Sequence, residues 1–175
     1  LWGIAARISV LKALEDRIRQ AIGDDGHVRD DASPELLRIS RELASRQGRL
    51  RSTVQAALRE AISRGYATEE QPTIRGGRAV IPVRAEAKRK VEGFVHDVSA
   101  TGQTVYIEPA SVLALNNEIR EIELERGREI QRILQGLSGH VRHHRRDIER
   151  SLDAVGHLDA LAAVGRLSAD PDAIV

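Results

Sequence analysis

The sequence predicts a mainly helical α+β fold in which long antiparallel helices carry a small antiparallel β-sheet inserted between them. Three observations predict it. Leu36, Leu43, Leu50 and Ala57 recur every seven residues, with Val54 and Ala61 on the other seam positions. A sustained seven-residue repeat marks a helix packed along a partner with left-handed crossing. Between Tyr66 and Pro109 that period gives way to two-residue alternation, the signature of strands, and beyond Pro109 helical spacing returns.

The elements follow in order. Ile4, Ile8, Leu11, Leu14, Ile18 and Ile22 are spaced by three or four, which predicts one amphipathic helix over about 1–22. "GDDGHVRDDAS" breaks it, and Ser33-Pro34 reads as an N-cap followed by a proline in the first turn. The next helix, 34–64, would be roughly 45 Å long. "TIRGGRAVIPV" places two apolar stretches around Gly76-Gly77, a two-residue hairpin signal. Ala79–Val83, Gly93–Ser99 and Thr104–Glu108 follow as strands, the last two joined by Ser99-Ala100-Thr101-Gly102. Glu108-Pro109 then opens a return helix lined by Val112, Leu115, Ile119, Ile122, Ile130, Ile133 and Leu137. "GLSG" at 136–139 predicts a break or kink, and a final helix runs over 140–167. The organisation is a first helical part (1–72), a small β-rich part (73–109) and a returning helical part (110–175). The helices 34–64 and 110–136 are expected to pack through Leu36, Leu43, Leu50, Ile119, Ile122 and Ile133, with the sheet at one end.

Composition narrows the function. The chain is 41% hydrophobic but only 2% aromatic, so its core is aliphatic, and the 30% of charged residues suits wide solvated helix faces. Net charge is +1, so any basic site must be local. Cysteine is absent, which excludes disulfides and cysteine-based zinc sites and fits a reducing, cytoplasmic setting. No apolar run approaches the roughly 20 residues of a membrane span. With no Met, and an opening directly inside an apolar-periodic segment, the chain is expected to belong to something larger.

No catalytic constellation stands out. The phosphate loop G-x-x-x-x-G-K-[ST] and a strand-borne G-x-G-x-x-G are both missing. His140 and His144 lie one helical turn apart in "HVRHH", but without H-E-x-x-H they read as a solvated face beside Arg142, Arg145 and Arg146. His96 and Asp97 are adjacent in a strand and point to opposite faces. Two features suit phosphate. "RAEAKRK" sets Arg84, Lys88, Arg89 and Lys90 in a connector at the sheet, and "SATG" offers the hydroxyls of Ser99 and Thr101 beside Gly102. No aromatic residues are interleaved to stack bases, so a nucleic acid would be held by its backbone.

"DDASPELLRISREL", "GGRAVIPVRAEAKRKVEGFVHDVSATGQTVYIEPASVLALNNEIREIELERGREIQRIL" and "LDALAAVGRL" together resemble the bacterial MutS paralogue of type two, a mismatch-repair-like ATPase that does not perform mismatch repair. The likeness spans about Asp24 to Leu167, with 78–117 its specific part. It implies the core and lever helices of that family with the clamp between the lever arms. It further implies a homodimeric parent with an ABC-type ATPase domain that binds ATP and Mg, and an Smr nuclease-type domain. The family is associated with suppressing recombination on branched DNA and with splitting collided ribosomes, so DNA or ribosomal RNA is the implied partner. Neither ATP site nor Smr domain lies in these residues, so the segment itself is expected to have no catalysis, cofactor or metal of its own. The rival expectation is a coiled-coil module whose sheet serves only dimerisation or docking.

Overall fold

The computed structural model describes residues 2–67 and 71–169. Residues 68–70, within the expected first helical part, and 170–175, at the end of the returning part, lie outside them. The elements are α1 (Trp2–Ala5), α2 (Lys12–Ala21), α3 (Pro34–Ser63), β1 (Thr73–Arg75), β2 (Arg78–Arg84), a 3-10 turn (Ala85–Ala87), β3 (Gly93–Val98), β4 (Thr104–Pro109), α4 (Ala110–His143) and α5 (Arg145–Ala169). They form two compact units, Leu1–Ser33 with Ile130–Val175, and Pro34–Glu129.

The second unit carries the predicted long helix and sheet. α3 begins at Pro34, whose missing N–H costs nothing in a first helical turn. It stops where Gly65 turns left-handed (φ 73°), allowing Tyr66 N–H to donate back to the Ala61 carbonyl at 2.8 Å. The sheet is antiparallel throughout, in the order β1-β2-β4-β3. Its first hairpin turns on Gly76 (φ 55°) and Gly77 (φ 76°), the pair of positive angles a two-residue primed turn requires.

The core of this unit sits between the last third of α3 and one sheet face. Val54, Leu58 and Ala61 meet Ile81, Val83, Val105 and Ile107, closed by Val112 from the first turn of α4. Leu58 and Ile81 are fully buried, each contributing about 1.5–3 kcal/mol. The sheet therefore packs at one end of α3, and not across its middle. Farther along, Arg46 pairs with Glu118 at 2.6 Å and Arg38 with Glu125 at 2.8 Å. Residue number rises on α3 as it falls on α4, so the two run antiparallel as expected.

Four expectations need correction. The helix expected over 1–22 is two helices. Ile8 and Val10, β-branched around Ser9, lose side-chain freedom in a helix, and Ser9 N–H instead donates to Ser151 Oγ at 2.9 Å. The helix does not break at 136–139. α4 continues through Gly136 and Gly139 to His143, because an isolated glycine costs only about 1 kcal/mol. The break comes at His144, whose N–H is shared between the carbonyls of His140 and Val141. Glu108 and Pro109 end β4, and α4 opens at Ala110. The expected α3 seam holds only at Leu36, Val54 and Ala61. Leu36, Ile39, Val54, Leu58 and Ala61 are buried, whereas Leu43 and Leu50 are half-buried. The last third of α3 faces a sheet, so a helix-to-helix repeat does not describe what it buries. On α4, Ile119 and Ile122 are buried, while Ile133 is half-buried and belongs to the other unit.

Candidate nucleic-acid interface

The basic connector is anchored at its start. Arg84 N–H donates to the Tyr66 carbonyl at 2.8 Å and Ala85 N–H to the Gln103 carbonyl at 2.9 Å. Ala87 is packed into the core, which pins the middle of the 3-10 turn inward. Lys88, Arg89 and Lys90 follow at once, are exposed, and are fixed by Lys90 N–H donating to the Ala87 carbonyl at 2.8 Å. The Lys90 ammonium lies 5.4 Å from the Tyr66 ring centroid, a cation–π distance. Among the described residues Arg84 has one loose partner, Glu86 at 3.8 Å, and both side chains are exposed.

The Ser99–Gly102 turn lies beside this connector, because Arg84 pairs with Thr104 across the β2–β4 register. Gly102 takes φ 70°, and its N–H donates to the Ser99 carbonyl at 2.8 Å. Ser99 Oγ accepts from Thr104 N–H at 3.1 Å and lies 3.3 Å from Thr101 Oγ1. The connector and turn thus share one end of the sheet. The Ser99 hydroxyl is engaged in shaping the turn.

Sequence reasoning missed the most tightly built part of this unit. Glu108 is only 1% exposed and accepts from Arg78 Nη1 at 2.7 Å and Asn116 Nδ2 at 2.7 Å, with His96 Nε2 at 2.5 Å. Burial alone pushes its carboxyl up. The hydrogen bonds from Asn116, Arg78 and His96 more than offset that and hold it below the usual carboxylate range. With the carboxylate ionised, His96 donates from Nε2. Arg78 also reaches Asn117 Oδ1 at 2.8 Å, and Asn116 exchanges bonds with both the N–H and the C=O of Ala79. One carboxylate so ties β2, β3, β4 and α4 together. The signal in the sequence was Asn116, a polar residue adjoining the apolar seam of Val112, Leu115 and Ile119.

The other histidine candidates go separate ways. His96 serves Glu108 while Asp97 lies 3.3 Å from Arg75, whose guanidinium stacks 4.3 Å over Tyr106. A bulge at His96 interrupts the β3–β4 register. His140 meets Arg17 at 3.2 Å and His144 lies 3.7 Å from Asp147. Among the described residues no group of three or more His, Cys, Asp or Glu side chains is placed to hold a metal ion. None of their helices is long and apolar enough to cross a membrane.

No family model matches the chain. It is 42% identical over 173 residues to the Endonuclease MutS2 of Pelotomaculum thermopropionicum, covering 99% of this chain and 22% of that protein. It is 38% identical to that of Symbiobacterium thermophilum (98% of this chain, 22% of the relative) and 39% identical to that of Gemmatimonas aurantiaca (89% and 19%). The chain spans about a fifth of the length of the curated relatives it matches. Similarity at this level over nearly the whole chain identifies it as a segment of a MutS2-type paralogue.

Proposed function

We propose that this segment is the lever and clamp of a DNA-binding ATPase of the MutS2 type, and that its sheet end grips the sugar–phosphate backbone. The observation that carries this reading is the connector. Arg84, Lys88, Arg89 and Lys90 are exposed and lie beside the sheet-end turn, on a backbone that the buried methyl of Ala87 anchors before any ligand arrives. The matched relatives are named endonucleases, which supports a nucleic-acid partner. The chain's own residues bind and transmit; hydrolysis of ATP with Mg, and cleavage, belong to other domains of a homodimeric parent in the cytoplasm. On this reading α3 and α4 carry the nucleotide state to the sheet, and the grip on branched DNA serves to suppress recombination.

The test is to change Arg84, Lys88, Arg89 and Lys90 together to Glu in the full-length protein. Binding to branched DNA at about 0.15 M salt should weaken at least roughly tenfold. Loss of ribosome binding with DNA binding intact would assign the surface to ribosomal RNA and to the splitting of collided ribosomes. Loss of neither would favour the second reading, dimerisation or docking. That reading rests on the edge strand β3, where Phe94 is 61%, Val95 52% and Val98 50% exposed.

A further inference from the structure

A second basic surface lies outside the connector, on the outer face of α3. From Leu43 to Arg59 the helix contains Arg46, Arg49, Arg51 and Arg59 and no acidic residue, in a chain with 26 Asp and Glu. Arg46 is taken up by Glu118 and Glu42. The guanidinium groups of Arg49, Arg51 and Arg59, and of Arg41 about two turns earlier, make no hydrogen bond, ion pair or ring contact among the described residues, and all four are exposed. The contrast within one helix is sharp. Arg38 holds Glu35, Glu42 and Glu125, and Arg64 holds Glu60.

Helical geometry puts the four free arginines on one side. Arg41 and Arg59 are five full turns apart and point the same way, about 27 Å along the axis, with Arg49 and Arg51 roughly 80° to either flank. Between them the surface is low, because Ser45, Gly48 and Ser52 are small and exposed. Beside this face runs a groove of about 840 Å³ between α3 and β1, which Arg51, Gln55, Arg59 and Ile74 line, with no carboxylate among the described residues that line it.

We infer that the outer face of α3 is a second nucleic-acid contact, which takes the backbone of duplex DNA. An Arg-rich face with a low centre, whose flanking Glu42 and Glu60 are already paired with Arg38, Arg46 and Arg64, lets phosphates approach closely and be gripped by bidentate forks. The axial step from Arg41 to Arg49, and again from Arg51 to Arg59, is about 12 Å, close to the roughly 12 Å width of the B-form major groove. Phosphates on both walls of that groove therefore come within reach, whereas the narrow major groove of A-form RNA does not match. A membrane surface would need large apolar groups on this face, and the low centre has none. The inference rests on the nucleic-acid reading above and adds a surface to it.

The test replaces Arg41, Arg49, Arg51 and Arg59 with Gln in the full-length protein and titrates a ~30-base-pair DNA duplex between about 50 and 200 mM salt. Binding should weaken at least roughly tenfold, and the slope of log affinity against log salt should become shallower by about 3, because each arginine neutralises about one phosphate. The corresponding Lys variant should keep the slope. The pairs Arg41→Gln with Arg59→Gln, and Arg49→Gln with Arg51→Gln, give half the change each and cover the case in which the quadruple variant folds poorly by circular dichroism. An unchanged slope overturns the inference. Equal weakening on an RNA duplex overturns the assignment to B-form DNA. The connector variant run in parallel separates the two surfaces. Weakened binding there with none on α3 leaves the proposed function standing and removes this surface, whereas unchanged binding in both removes both.

Discussion

The guanidinium of Arg78 stands 2.7 Å from the carboxylate of Glu108, a charge buried under the sheet and shared with Asn116 and His96. Removing one partner of a buried pair leaves a charge without compensation, which costs more than the pair's net worth. Arg78→Ala should lose about 2–4 kcal/mol in denaturant unfolding. Arg78→Ala in a Glu108→Gln background should lose clearly less. Equal losses in the two backgrounds would mean that the pair is not coupled.

The same carboxylate sets a pH dependence. Its folded value lies below its ordinary one, so in acid the unfolded state binds more protons and stability falls with pH. The contribution is fully present above the unfolded carboxyl value of about 4.3 and is lost as pH drops through the lower folded value. Stability measured between about pH 2 and 5 should therefore fall less steeply in Glu108→Gln than in the parent. Parallel curves would contradict the linkage.

Gly93 lets β3 pass against β4. A Cβ there would lie 2.1 Å from the Glu108 carbonyl oxygen, a backbone atom that cannot swing aside. Gly93→Ala should cost about 3 kcal/mol or more and loosen β3 first, seen as reduced hydrogen-exchange protection over 93–98. Gly102→Ala has open space around it and only its φ of 70° to strain it, so it should cost about 1–2 kcal/mol. The reverse order would contradict the close approach.

The observed α3 seam has its own signature. Leu58 is fully buried against the sheet, so Leu58→Ala should cost about 2–5 kcal/mol by thermal or urea unfolding. Half-buried Leu50, on the expected seven-residue seam, should cost markedly less. Equal costs would restore the original seam.

How far the sequence could be read depended on whether a signal was local. Gly76-Gly77, Ser33-Pro34 and the alternation around 93–108 act within a few residues, and they placed the hairpin, the start of α3 and the sheet. Signals that need a partner misled. Ile8 continued a helical spacing that Ser9 abandons for Ser151, and Gly136 and Gly139 resembled a break that flanking helix overrides. Glu108 is legible only as the end of a strand, because the three donors that bury it, Arg78, His96 and Asn116, come from elsewhere in the chain. The connector cations were legible as a local run. The Ser99 hydroxyl's engagement with Thr104 N–H was not, since it depends on how the turn closes.

The central claim is that the sheet end touches nucleic acid, and site-specific photo-crosslinking tests it most directly. Arg89 is replaced by a photoreactive benzoylphenylalanine in the full-length protein, with exposed Arg150 on α5 as the control position. The protein is irradiated on a labelled branched DNA at about 0.1 M salt. The account predicts a covalent DNA adduct from position 89 and little or none from position 150. An adduct from position 89 to a second copy of the protein, with no DNA attached, would contradict it.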